Sequence, residues 1–152
     1  MKKIKMDFLM SVLFFLIISG ITFNPSISSA EMTVDSYCQL TIESMQQDIS
    51  NYQELIALVN QYSNDPETLA QQEEIKRTEF DEDRDTLYSS YGTTADEYVL
   101  YMGKNGKAVN EYLEANTDVK QQIDDLSAQV NSLMEEYETL KEGVINPEPP
   151  LP

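Results

Sequence analysis

Two runs of apolar residues at heptad spacing constrain this chain more than anything else in it. Cys38, Ile42, Met45, Ile49, Tyr52, Ile56 and Val59 are separated by alternating steps of four and three. Val119, Ile123, Leu126, Val130, Leu133, Tyr137 and Leu140 repeat the same steps. That spacing returns to one side of an α-helix and to neither face of a strand, so each run is a helix seam of coiled-coil type. The first seam spans about 33 Å at 1.5 Å per residue. Two such helices cannot stay in water unpartnered, and the first and last helices are expected to pack together.

The chain between them carries helix punctuation. In "SNDPET" Asp65 suits an N-cap, Pro66 the first helical position, and Glu67 the positive end of the dipole. A second helix is expected over about Pro66 to Tyr91. Its stripe is thin: Leu69, Phe80, Leu87 and Tyr91 share a face that Glu73, Lys76 and Asp83 interrupt, and Ile75 points elsewhere. This helix is expected to be the most solvated. Gly92 suits its C-terminal cap, and "TADE" offers a capping box from Thr94 to Glu97. The third helix follows, with Tyr98, Met102, Val109 and Tyr112 as its seam and Asn105 filling the gap. Gly103 and Gly106 weaken it, each by about 1 kcal/mol relative to Ala. In "EANTD" Asn116 or Thr117 can cap a fourth helix, with Asp118 in its first turn. The register nonetheless runs from Tyr98 to Leu140 without a slip, so one long helix with polar Asn105 and Asn116 layers is the alternative to a break there.

The expected fold class is therefore all-α: an antiparallel helical bundle with coiled-coil-like heptad seams. Similar segment lengths and short turns favour four helices, up-down-up-down. The alternative is three, with a long last helix. Gly143 is expected to end the last helix, and the tail "NPEPPLP" to be extended and flexible.

The first thirty residues have a different character. Lys2, Lys3 and Lys5 precede an apolar run, "FLMSVLFFLIISGITF", followed by Pro25 and by small residues at Ser28 and Ala30. That is the three-part pattern of a secretory signal peptide cleaved after Ala30. The expected organisation is a signal peptide over 1–30, an acidic helical bundle domain over 31–143 and a Pro-rich flexible tail over 144–152. An exported protein follows, periplasmic or extracellular, with no stable membrane insertion once the signal is removed. Cys38 is preceded by "VDSY", which lacks the small and apolar residues of a lipid-attachment site.

Charge narrows the partners. Cleavage takes the chain from 10 basic and 27 acidic residues to 7 and 26, a net of −19. Such a surface repels nucleic acid and anionic lipid. A single cysteine excludes an intrachain disulfide, and Cys38 is expected in the core rather than in a dimer bridge. The absence of histidine removes Ser-His and Cys-His catalytic pairs and the commonest metal ligand.

Three motifs carry a trace of chemistry. "DEDRDTLYSSYG" places Asp81, Asp83 and Asp85 at alternate positions, as a calcium loop does. That loop needs Gly at its sixth position and Glu at its twelfth; here they are Thr86 and Gly92. A charged helix is expected, with Arg84 pairing locally. "GKNGKA" lacks the first Gly and the final Ser or Thr of a phosphate loop, and reads as helix loosened where a neighbour packs closely. Adjacent carboxylates such as Asp124–Asp125 and Glu135–Glu136 diverge on a helix and converge on no substrate. The tyrosines remain. Tyr88, Tyr91, Tyr98 and Tyr101 gather at the turn between the second and third helices, either as an interaction patch or as rings closing the end of a bundle.

No catalytic residue, cofactor or metal ligand is assigned. The expected function is a non-enzymatic protein–protein interaction, adaptor or chaperone-like module, acting on a partner protein or on itself. The alternative is an acidic, calcium-responsive cation-binding protein.

Overall fold

The computed structural model describes residues 32–145. The expected signal peptide, and the tail from residue 146 onward, lie outside the described residues. The described residues form four helices: α1 (Val34–Gln61), α2 (Pro66–Ser90), α3 (Ala95–Ala115) and α4 (Thr117–Ile145). The protein is an all-α helical bundle.

The helix ends form where local chemistry dictates. Thr33 caps α1, its hydroxyl accepting from the Ser36 N–H at 3.1 Å. Asp65 caps α2 through the Thr68 N–H at 3.1 Å, with Pro66 at the first position. Gly92 follows α2 at φ +68°, a left-handed conformation that a side chain would strain. The capping box is complete: Thr94 accepts from the Glu97 N–H, and Glu97 accepts from the Thr94 N–H. α4 runs past Gly143 to Ile145, because Val144 packs on the core and carries the helix through the glycine.

α1 is the central helix, and α2 and α4 both lean on it. α2 runs antiparallel to α1: Arg84 meets Asp48 at 2.7 Å, Lys76 meets Glu54 at 3.0 Å, and Leu69 packs with Val59. α4 packs along α1 more extensively than any other pair, as the two seams require. Its direction departs from up-down-up-down. Tyr37 and Cys38, at the start of α1, cluster with Val119 and Ile123, at the start of α4. Leu55, Ile56 and Val59, near the end of α1, cluster with Tyr137, Leu140 and Val144. The first and last helices are therefore parallel. The cause is the connection before α4. Asn116 alone joins α3 to α4: its N–H donates to the Tyr112 carbonyl at 2.9 Å and its carbonyl accepts from the Lys120 N–H at 3.0 Å. One residue breaks a helix but cannot reverse it, since helical hairpins take loops of about 2–5 residues. α3 lies across the N-terminal end of α1, from Tyr98 beside Thr41 to Tyr112 beside Asp35, and α4 then climbs alongside α1.

The core is divided. One apolar cluster joins Leu55, Val59, Leu69, Phe80 and Tyr137. The other joins Tyr37, Cys38 and Val109 at the α3 end. Between them the α1–α4 seam continues through buried Ile42 and half-buried Met45, Ile49, Leu126 and Val130, while the α2 side carries a polar set: the Asp48–Arg84 pair and Gln47, whose Oε1 is buried without a hydrogen-bond partner among the described residues.

Candidate functional site

The four tyrosines expected as a patch divide in two. Tyr88, Tyr98 and Tyr101 are brought together by a fourth ring, Tyr37 of α1. Tyr88 stacks on Tyr98 at 5.4 Å between centroids, Tyr98 on Tyr37 at 4.8 Å, and Tyr37 on Tyr101 at 4.9 Å. Tyr88 is 2% exposed and Tyr37 8%. The stack ties α1, α2 and α3 at one end of the bundle. Tyr91 stands outside it, half-buried, its phenol pushed up to about 12 by burial and by nearby Glu43. Tyr37 had no place among the expected residues because it stands one position before the heptad seam. With Leu40, which is fully buried, it begins a second stripe on α1 that faces away from the seam.

Hydroxyl bookkeeping completes the stack. Thr41 donates its one proton to the Tyr37 carbonyl at 2.8 Å, so Tyr98 is the donor in the 2.8 Å contact with Thr41 Oγ1. Burial raises the Tyr98 phenol well above its ordinary value, and the neighbouring Tyr37 adds to the effect. Burial also raises Tyr88 and Tyr37. Such phenols stay protonated at neutral pH and act here as hydrogen-bonding struts. Cys38, 2% exposed, lies in the same cluster, and burial pushes its thiol up.

The outside of this end is different. Met32, Leu100 and Tyr101, with Glu97, Lys104 and Asn105, line a shallow groove of about 220 Å³. Leu100 is 55% exposed on the outer side of α3. A Cβ built on Gly103 would meet nothing within 4 Å, and one on Gly106 only Met102 Cε at 3.9 Å. The two glycines therefore loosen α3 without admitting a close neighbour, contrary to the expectation for "GKNGKA".

A second polar constellation lies near the other end, and sequence reasoning missed it. Glu73, expected to interrupt the stripe of α2, is 5% exposed. Tyr137, 1% exposed, donates to Glu73 Oε1 at 2.7 Å. Tyr137 also accepts from Lys141 at 2.9 Å and from Arg77 at 3.1 Å. Lys141 closes the ring by donating to Glu73 Oε2 at 2.6 Å. Burial lowers the Lys141 pKa, but the bonds to Glu73 and Tyr137 more than offset it and the net shift is upward. Glu73, Tyr137 and Lys141 each bond the other two. The network straps α2 to α4.

The acidic segment is settled by its backbone. Residues 81–90 are helical, so Asp83 diverges from Asp81 and Asp85. Arg84 reaches across to Asp48 on α1 rather than pairing locally. Burial raises Asp48, opposed by Arg84. Among the described residues no group of three or more acidic or sulfur side chains is placed to hold a metal ion. Nor is any described helix long and apolar enough to cross a membrane. No family model matches the chain, and no curated protein or solved structure is similar to it.

Proposed function

We propose that this is an exported, non-enzymatic interaction module that binds a partner protein through the outer face of α3. The observation that carries the reading is Leu100, a large apolar side chain 55% exposed beside the Met32–Tyr101 groove. The stacked tyrosines support it from beneath, holding that end of α3 in one geometry so that a partner meets a preorganised surface. Charge supports a protein partner over nucleic acid. Lys76, Arg84, Lys107, Lys120 and Lys141 each pair with a carboxylate of the same chain, so the acidic excess stays at the surface. Export rests on the residue pattern over 1–30.

A photo-crosslinking amino acid at position 100, in the cell that makes the protein, tests this. A discrete adduct at position 100, absent from a control at the outward-facing position 135, is expected. Leu100→Glu, with the probe moved to position 104, should remove it. Adducts of equal yield at 100 and 135, or none at either, would refute the reading.

A further inference from the structure

We propose that the end of the bundle closed by α3, together with the first turns of α4, opens as a unit while the Leu55–Tyr137 cluster stays shut. The division of the core carries this. The two apolar clusters share no residue. Tyr98, Tyr101, Met102, Val109, Tyr112 and Leu113 of α3 belong to the α3-end cluster, and no α3 side chain belongs to the other. α2 contributes Leu69 and Phe80 to the opposite cluster and reaches α3 through the Tyr88–Tyr98 stack. Cooperative unfolding is transmitted by shared apolar packing; between the clusters that packing runs along the α1–α4 seam, which α3 does not join, while the α1–α2 side holds the Asp48–Arg84 pair and the unpartnered Gln47 Oε1. α3 is also weakly determined by itself, with Gly103 and Gly106 in its middle. Both of its connections are short, the Tyr91–Thr94 turn and Asn116, so each can serve as a hinge without unravelling α2 or the body of α4. Opening would bare Tyr37, Cys38 and the inner rings of α3. The inference stands on packing alone and does not depend on the role given to Leu100.

Cys38 reports on it directly, as the single cysteine of the chain and 2% exposed when the end is closed. The rate at which an aromatic disulfide reagent labels Cys38 would be followed in native buffer and at increasing urea, beside the global unfolding transition. If the end opens as a unit, labelling at low urea is nearly independent of urea and much faster than global unfolding permits. Val109→Ala should then accelerate it about tenfold, and Gly103→Ala should slow it about fivefold. Val59→Ala, in the other cluster, should shift the global transition and leave native-state labelling unchanged. Should Val59→Ala fail to fold, Tyr137→Phe is the milder substitute at the same cluster. Labelling that follows the urea slope of global unfolding, and accelerates equally in the variants of both clusters, would overturn the proposal.

Discussion

Lys141→Met is the sharpest perturbation of the strap between α2 and α4. The substitution keeps the apolar stem and removes the ammonium. Glu73, whose side chain is 7% exposed, loses the 2.6 Å partner that balances its charge. Removing one member of a buried ion pair typically costs about 3–5 kcal/mol, chiefly because the other charge is stranded. Two features reduce that figure here. The Lys141 side chain is 27% exposed, and Tyr137 still donates to Glu73 at 2.7 Å. The expected loss is about 2–3 kcal/mol. With a urea slope of about 1–3 kcal/mol per molar, the midpoint should fall by about 1–2 M. The double variant Glu73→Leu/Lys141→Met strands no charge and should lose less than Lys141→Met alone, a non-additivity of at least about 1 kcal/mol. Urea unfolding followed by circular dichroism measures both. A Lys141→Met midpoint indistinguishable from the parent, or single effects that simply add, would refute the claim that this pair acts as a buried unit.

Three further expectations follow from the same geometry. Gly92→Ala places a Cβ at φ +68° and should destabilise the fold by about 1–2 kcal/mol in thermal or urea unfolding. Stability should be flat from about pH 7 to 8, begin to fall near 9 and fall steeply above about 10. The sign is set by Cys38 and then by Tyr52, Tyr88, Tyr98 and Tyr137, whose folded pKa values burial raises above 9.0 for the thiol and 10.0 for the phenols. The unfolded groups therefore lose protons first. Lys141 and Arg84, also raised, lose their contributions in the same direction. Tyrosinate absorbance should accordingly rise together with unfolding rather than before it. Thermal melts in calcium and in chelator should coincide, because residues 81–90 are helical; a calcium-dependent rise in midpoint would revive the cation-binding alternative.

What was legible in the sequence was local or periodic. The Asp65–Pro66 start, the Gly92 stop and the Thr94–Glu97 box each form within four residues, so neighbouring chain was enough to read them. The seams of α1 and α4 identified the most extensive interface, since their long apolar stripes need one another. Direction was not legible: a heptad reads the same for parallel and antiparallel neighbours. The clue lay in the connection: the break at Asn116 forms and the single long helix does not, yet one residue leaves no room for a reversal. Glu73 was read as an interruption because its partners Tyr137 and Lys141 lie 64 and 68 residues away. The signal that could have found it is the order Leu69, Glu73, Phe80, Arg84, Tyr88, which drifts at the period of a straight helix rather than at the heptad. Three of the four named rings join the stack through Tyr37, which one-dimensional spacing did not connect to them.

The central claim is that the seams of one chain satisfy each other, leaving the outer face of α3 for a partner. Sedimentation of residues 31–152 under non-reducing conditions, across a concentration series, tests it most directly. A single species with the mass of one chain at every concentration is the predicted result. A dimer or larger assembly that persists on dilution would contradict it, because the half-buried seam of α4 would then be completed by a second copy.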